Sequence, residues 1–344
     1  IRLTNHERSQ IFLNFAEKEC KGSSLLYEHL SIMIAREETL LEICRSAKKG
    51  QPIPNLLYGA VHTLLLKGCE HPLKEYYPSI VDNPKPYKDA FDPFKDFCFT
   101  YRNEIEVIMG TRLVQTNEVR RCAYLYPVFC LIYEKINRPL ALIEIGTSAG
   151  LQLLWDQYSY SYGQNKVYGN KDSKLMIRAE IKGEHFPVLH KTLPPVSNRI
   201  GFDLNTIDLT DDDEYFWLKS LIWPEHKERL SLFEEAAGYA RDESLNLIEG
   251  DGVSLLPHYV ENIPDNSVIC IFHTHVANQM PVEIKQQLVE TVDTIGKKRD
   301  VFHIYNNIQD RNLHLDYYVD GILSQCTIAE TDGHGRWFKW LMKD

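Results

Sequence analysis

The chain has 344 residues, which is room for about two domains that each bury a core. Hydrophobic residues make up 44% of it and charged residues 25%, as in an ordinary soluble globular protein. The formal net charge of -10 argues against a broad phosphate-binding face, so we expect no nucleic-acid partner.

The eight cysteines are scattered, with no Cys-x-x-Cys pair among them. This pattern favours reduced, mostly buried thiols over a disulfide framework or a zinc site. No basic and then apolar leader opens the sequence, and no apolar run approaches the roughly 18 residues of a membrane span. We therefore expect a cytoplasmic protein with no membrane partner.

Residues 1 to 135 are predicted to form a helical N-terminal domain, which would act as a lid. Thr4-Asn-His-Glu7 is a capping box, and Asn55 to Lys67 predicts a second strong helix. His62 in that helix is best explained as a core histidine whose hydrogen bonds are satisfied. Five prolines from Pro72 to Pro93 predict a loop, because no regular element carries so many.

A further helix is predicted to start near Thr116. Spacings of three and four residues would place Asn117, Glu118 and Arg121 on one face of that helix. Two interpretations are open. The Arg–Glu pair is either an ordinary solvated surface pair, or these groups lie over a cleft, where they hold a polar substrate and take part in catalysis.

After Pro139, short apolar strands alternate with helices, which predicts βαβ units and a mostly parallel sheet. Residues 136 to 344 would form this second domain, with a hairpin inserted near residues 163 to 198. The chain ends on an antiparallel hairpin signal around Asp332-Gly-His-Gly335. The predicted strands are Leu142–Ile145, Leu245–Ile248, Val268–Phe272 and Val301–Tyr305, and those of the hairpin are Cys326–Thr331 and Arg336–Leu341.

The first of these strands runs into Gly146-Thr-Ser-Ala-Gly150, where small residues occupy alternate positions. A strand that turns sharply into a helix beside a nucleoside needs small side chains, so that its backbone can approach the ligand. The same segment has the Gly-x-Ser-x-Gly spacing of a nucleophile elbow. The residues alone leave both interpretations open.

With Glu144 ahead of it, this segment resembles the first motif of class I S-adenosylmethionine-dependent methyltransferases. The resemblance implies an α/β fold with a Rossmann-like, mostly parallel sheet and an antiparallel C-terminal hairpin. The whole chain also resembles an uncharacterised bacterial family of unknown function with such a core behind a helical region. The features that carry this second resemblance are Gln115–Arg121, Glu144–Gly150, Arg199–Asp203, Trp223–Pro224 and His334–Trp337.

The methyltransferase resemblance implies S-adenosylmethionine as cofactor and a small polar molecule as methyl acceptor. Gly146, Ser148 and Gly150 would line the methionine end of the cofactor, and Glu144 would orient nearby groups. Ser148 departs from the pattern, since a second glycine is usual there and a Cβ restricts positive φ. At the end of the second strand, Asp203 would accept hydrogen bonds from the ribose hydroxyls.

In Glu249-Gly-Asp-Gly252, the resemblance assigns Asp251 to the adenine amine, with Gly252 beside it. An equally good explanation is a turn aspartate between glycines. After the next strand, His273 and His275 alternate and would share one side of an extended segment. Either imidazole could serve as general base near neutral pH.

We expect no metal. The two histidines fall far short of a four-ligand site, and a third ligand from His303 or His314 would be a guess.

Two other functions are open. An α/β serine hydrolase would use Ser148 as nucleophile, Asp251 as acid and His275 or His303 as base, in the chain order of that fold. Against it, the residues before Leu142 are predicted to be helical, and no His-Gly-Gly segment precedes the serine. The third possibility is a binding or regulatory protein that keeps the fold without turnover.

Overall fold

The computed structural model describes residues 2–189, 192–243 and 245–343. The chain divides into two compact units, a helical unit of Ile1–Thr116 with Thr210–Ser231 and a second unit of Asn117–Leu209 with Leu232–Asp344. This division differs from the predicted boundary at residue 135. Residues 117 to 135 group with the second unit, and a later segment of the chain groups with the helical unit.

The described chain is helical as far as Ile136, and strands occur only from Leu140 onward. The α-helices are α1 (Asn5–Phe15), α2 (Leu25–Ile34), α3 (Glu38–Ile43), α4 (Ile53–Leu66), α5 (Phe91–Thr100), α6 (Arg102–Thr111), α7 (Cys122–Ile136), α8 (Asp212–Ser220), α9 (Lys227–Asp242), α10 (Gly252–Val260) and α11 (Val282–Gly296). The strands are β1 (Leu140–Ile145), β2 (Ser159–Ser161), β3 (Tyr168–Gly169), β4 (Met176–Arg178), β5 (Glu180–Lys182), β6 (Val196–Asp203), β7 (Asn246–Glu249), β8 (Val268–His273), β9 (Val301–Tyr305), β10 (Leu313–Val319), β11 (Ile322–Thr331) and β12 (Trp337–Trp340). None of the helices in the described residues has both the length and the apolar character that a membrane span requires.

The helical unit has an aromatic core. The rings of Tyr27 and Tyr58 stack with their centroids 4.0 Å apart, and Trp217 of α8 belongs to the same buried cluster. The predicted capping box is present, because Thr4 Oγ1 accepts the backbone N–H of Glu7 and the Glu7 carboxylate accepts that of Thr4. The proline-rich segment is irregular apart from two short 3₁₀ turns, and its last proline lies in the first turn of α5.

His62 is the core histidine that the sequence predicts. It is fully buried in α4, where Nδ1 lies 2.9 Å from the carbonyl oxygen of Ser220 and Nε2 lies 2.8 Å from Ser79 Oγ. Because a carbonyl only accepts, the proton is on Nδ1 and the serine hydroxyl donates to Nε2. Burial lowers the pKa of His62 to about 4, so the ring is neutral.

In the second unit, nine strands of the described chain form one mostly parallel sheet in the order β5-β12-β11-β10-β9-β8-β1-β6-β7. β7, β6, β1, β8 and β9 run parallel to one another, as the alternating pattern predicts. β10, β11 and β12 then continue the sheet antiparallel, so the predicted C-terminal hairpin is confirmed as β11 and β12. The fold is therefore α/β.

The order of the parallel strands creates a reversal beside β1. From β1 the chain moves to β6 and then β7 on one side, and it returns to β8 and β9 on the other. Open α/β sheets bind ligands outside the carboxyl ends of the strands at such a switch point. The carboxyl ends of β1 and β8 are thus the first place to look for a site.

The predicted inserted hairpin is wrong in its pairing. β2 pairs antiparallel with β3 and parallel with β4, so that these three strands make a small separate sheet. β5 instead joins the large sheet as an edge strand parallel to β12. Residues 190 and 191 of this predicted insertion lie outside the described residues.

Candidate functional site

The turn after β1 uses left-handed backbone at three alternate positions. Gly146, Ser148 and Gly150 have φ values of 74°, 52° and 80°. A serine at positive φ carries a conformational cost that the two glycines avoid. The Ser148 backbone is held on both sides, because its N–H donates to Asp203 Oδ2 at 2.8 Å and its carbonyl accepts from Ile207 at 3.1 Å.

The two glycines of this turn allow close packing. A Cβ on Gly146 would lie 2.6 Å from Val276 Cγ2, and one on Gly150 would lie 2.8 Å from Leu245 Cδ1. The residues after the turn are expected to form an α-helix, but Leu151–Gln157 form a 3₁₀ helix instead. The turn therefore serves protein packing directly.

Glu144 points into the protein interior. It is 3% exposed, and its Oε1 accepts the Thr147 hydroxyl at 2.6 Å. Burial raises the pKa of Glu144 well above its usual range, opposed by that hydrogen bond, and the nearby Asp203 adds to the rise. Glu144 orients Thr147 and does not reach solvent.

Asp203 ends β6 beside the turn, at the place where a ribose-binding acid was predicted. Its two oxygens accept the backbone N–H groups of Ser148 and Asn205 at 2.8 and 3.0 Å. Burial raises the pKa of Asp203, and these amides oppose the rise. The carboxylate is half-buried, with an open side.

Asp251 is the N-cap of α10. Its oxygens accept the backbone N–H of Val253 at 3.1 Å and the hydroxyl of Ser254 at 2.7 Å, and the residue is exposed. Gly252 follows because a Cβ there would lie 2.7 Å from Phe202 Cβ. Capping and packing thus account for both residues without a ligand.

The segment before α7 reaches the turn, although the predicted helix face is wrong. Asn117 and Glu118 precede a 3₁₀ turn over Val119–Arg121 and are not helical. Asn117 Nδ2 donates to Ser148 Oγ at 2.6 Å, which brings this segment to the end of β1.

Glu118 and Arg121 both contact the loop between β11 and β12. Glu118 is 3% exposed, with Oε2 lying 3.3 Å from His334 Nδ1, and Arg121 Nε donates to the carbonyl oxygen of Gly333 at 2.9 Å. A solvated surface pair is therefore excluded. Three of the five features that carried the resemblance meet here: Gln115–Arg121, Glu144–Gly150 and His334–Trp337.

His273, the last residue of β8, and His275 do not share one extended segment. His273 is fully buried, with Nε2 lying 3.0 Å from Nε2 of His303, and burial lowers its pKa to about 3. His275 adopts a φ of 66° and starts a new turn. The polar cluster is the group of contacting side chains that includes Asn117, Ser148, Glu118, Arg121 and His334. Of the two predicted bases, His275 is the one beside this cluster.

His275 carries a buried ring nitrogen without a partner. Its backbone N–H donates to Asn306 Oδ1 at 2.7 Å, but within the described chain neither His275 Nε2 nor Asn306 Nδ2 has a hydrogen-bond partner. Burial, together with the neighbouring Arg121 and His334, lowers the pKa of His275 to about 4. The ring is therefore neutral at neutral pH.

Sequence reasoning missed three residues of this cluster. Asn306 follows β9, and Gln152 and Thr274 connect the turn after β1 to the end of β8. Gln152 Nε2 donates to the Glu118 carbonyl at 3.2 Å, and its Oε1 accepts the Thr274 hydroxyl at 3.2 Å. Only Asn306 had a usable signal, since it is a polar residue directly after a buried strand.

The residues predicted for a hydrolase triad do not hydrogen-bond to one another in the described parts of the chain (residues 2–189, 192–243 and 245–343). Ser148 Oγ pairs with an amide, Asp251 caps a helix and His303 pairs with His273. The Nε2 of His314 lies 2.6 Å from Asp310 Oδ1. The same ranges hold no group of three or more His, Cys, Asp or Glu residues placed to bind a metal.

Comparison with known proteins identifies a family for this chain. A family model described as an uncharacterized protein conserved in bacteria (DUF2332) matches residues 9–340. No curated protein and no solved structure matches the chain.

Proposed function

We propose that this chain, which belongs to the bacterial family DUF2332 of uncharacterized proteins, is an S-adenosylmethionine-dependent methyltransferase with a Rossmann-like core. Its acceptor is a small polar molecule that binds at the carboxyl ends of β1, β8 and β9.

The observation that carries the proposal is the pair of orphaned polar atoms, His275 Nε2 and Asn306 Nδ2. A buried polar atom without a partner costs about 1–3 kcal/mol. Both atoms follow strands at the reversal beside β1, where sheets of this order bind ligands. A ligand that offers a hydrogen-bond acceptor to Asn306 Nδ2 and a hydrogen-bonding group to His275 Nε2 removes this cost.

The residues at the end of β6 and in the turn after β1 fit the cofactor. Asp203 accepts two backbone N–H groups, and a carboxylate can accept about four hydrogen bonds, so it keeps capacity for vicinal hydroxyls. The left-handed turn from Gly146 to Gly150 contributes only small side chains of its own to the strand end, and Val276 and Leu245 pack against its two glycines. S-adenosylmethionine supplies an electrophilic methyl group when bound.

The protein side of catalysis is assigned to the polar cluster. Arg121 and Glu118 are fixed by the loop between β11 and β12, and they offer one positive and one negative group to a polar acceptor. His275 is neutral and, with its proton on Nδ1, takes the proton that the acceptor atom releases at Nε2. Alignment and exclusion of water account for the remaining rate enhancement.

The test is calorimetric titration with S-adenosylmethionine and, separately, S-adenosylhomocysteine. We expect micromolar binding to the wild-type protein and at least a tenfold loss in Asp203→Asn, which keeps the shape of the side chain but not its charge. Asp300→Asn is the matched control. Asp300 is also half-buried and accepts a backbone N–H at 2.9 Å, but it precedes β9 at the opposite end of that strand. Failure of the wild-type protein to bind either compound refutes the proposal.

A further inference from the structure

The helical unit contains a cavity of about 560 Å³ with a strongly basic lining. Six cationic side chains face two carboxylates, those of Glu42 and Glu106, which gives the lining a formal charge of +4. The chain as a whole carries -10. The six cations are Arg2, Arg8, Arg45, Lys48, Lys49 and Arg102.

Arg8 is the most informative of these residues. It is only 5% exposed, and Nη1 donates to Asn5 Oδ1 at 2.9 Å. Its Nε is buried with no hydrogen-bond partner, and no carboxylate of the described residues lies within ion-pair distance of its guanidinium. A buried guanidinium with an unpartnered N–H and no carboxylate paired to it is destabilising, which indicates that an anion completes the site.

The other cations come from a fixed segment and a helix start. Arg45, Lys48 and Lys49 lie between α3 and α4, and the Lys48 backbone N–H donates to the carbonyl oxygen of Met109 in α6 at 3.0 Å. Arg102 starts α6, and its Nε lies 2.8 Å from Glu106 Oε1. Glu106 is therefore already neutralised, and the side chains of the loop are exposed to an incoming anion.

We propose that this cavity binds the phosphate groups of a small phosphorylated molecule. Guanidinium groups match phosphate oxygens with paired, charge-assisted hydrogen bonds. The volume lies within the roughly 300–1,000 Å³ of small-molecule pockets, and the net charge of -10 opposes the long backbone of a nucleic acid. The site lies wholly in the helical unit, so it does not depend on the proposed methyl transfer.

The test is calorimetric titration with pyrophosphate at constant ionic strength, with sulfate as the comparison ion. We expect pyrophosphate to bind the full chain more tightly than sulfate does. Neutralising the exposed Arg45 as Arg45→Gln should weaken pyrophosphate binding about tenfold, since the variant loses a charged hydrogen-bond donor to the phosphate oxygens. Arg36→Gln, at an exposed arginine outside the cavity, is the control and should leave the affinity unchanged.

A thermal melt provides a second readout. Pyrophosphate should raise the Tm of the wild-type protein by mass action, and this rise should disappear in Arg8→Gln. Tighter binding of adenosine diphosphate than of pyrophosphate would assign the site to a phosphorylated organic molecule, whereas equal binding would assign it to phosphate groups alone. Equal pyrophosphate affinity in Arg45→Gln and Arg36→Gln, or no binding at millimolar pyrophosphate, overturns the proposal.

Discussion

Asn117 and Ser148 are 31 positions apart in the chain, and Asn117 Nδ2 donates to Ser148 Oγ at 2.6 Å. This hydrogen bond fastens the non-helical segment before α7 to the left-handed turn after β1. The backbone N–H of Ser148 also donates to Asp203. Ser148 therefore connects the segment before α7 with the end of β6. The bond occupies the oxygen that a hydrolase would need as its nucleophile.

A double-mutant cycle on Asn117→Ala and Ser148→Ala should measure this bond. We expect a coupling free energy of about 0.5–1.5 kcal/mol in urea unfolding, as for a typical intramolecular hydrogen bond. The affinity of Ser148→Ala for S-adenosylmethionine should stay within about twofold of wild type, because the proposed role of this position is to present a small side chain to the cofactor, which alanine also does. Strictly additive single-mutant effects would show that the contact does not stabilise the protein.

Replacement of Gly146 by alanine should be strongly destabilising. Its Cβ would lie 2.6 Å from Val276 Cγ2 and 2.8 Å from Val276 Cβ, at a φ of 74°. The positive φ costs roughly 1–2 kcal/mol and crowding in a packed core another 1–3 kcal/mol. We therefore expect the free energy of unfolding of Gly146→Ala to fall by about 2–5 kcal/mol, measured by urea denaturation.

Gly163→Ala is the matched control, because Gly163 has a φ of 93° with nothing within 4 Å of its Cβ position. The free energy of unfolding of Gly163→Ala should fall only by the cost of placing alanine at a positive φ. Adding Val276→Ala to Gly146→Ala should recover part of the loss by removing the clashing methyl groups. Equal losses for the two glycine variants would mean that Val276 moves aside and that crowding is unimportant.

The parallel core could be predicted from the sequence because its central strands are buried on both faces. β1 and β8 are buried at every position, so each is apolar apart from one residue, Glu144 in β1 and His273 at the end of β8. The insertion could not be predicted in the same way. β4 and β5 are separated by Ala179 alone, yet one pairs with β2 and the other with β12, and local patterns carry no record of such distant partners.

For the candidate site, too, the sequence indicated residue types but not the contacts between residues that are far apart in the chain. Asn117, Glu118 and Arg121 were found through their residue types, but the helical spacing that grouped them was wrong, because Glu118 is still outside the helix. Glu118 is buried through its contact with His334, which is 216 positions away. His273 shows the converse, since its alternation with His275 concealed a buried pairing with His303.

Stability should fall in acid partly through His62. The folded pKa of about 4 lies below the unfolded value of about 6.5, so the unfolded chain binds more protons between these pH values. The contribution of neutral His62 to the free energy of unfolding is fully present above about pH 6.5 and is lost as the pH falls toward 4. The total loss is about 3 kcal/mol. The free energy of unfolding should be measured in urea at pH 7 and at pH 4.5.

His62→Gln should lose stability at pH 7 and approach the wild-type protein at pH 4.5, since glutamine does not titrate. His6→Gln, at an exposed histidine, is the control and should keep the wild-type dependence on pH. A constant difference between His62→Gln and wild type at both pH values would contradict this assignment.

His275 should remain neutral across the range from pH 5 to 8, and its neutrality should depend on Arg121. Burial and the neighbouring Arg121 and His334 lower its pKa to about 4. Removing the positive charge in Arg121→Gln should raise that pKa, because the imidazolium form is then less disfavoured. Titration of the ring Cε1–H signal by NMR measures the shift, with Arg138→Gln as the control because Arg138 pairs with Asp300 at the other end of the strands. An unchanged His275 signal in Arg121→Gln would leave burial and His334 as the causes of the lowered pKa, and Arg121 would then have no electrostatic influence on the proposed base.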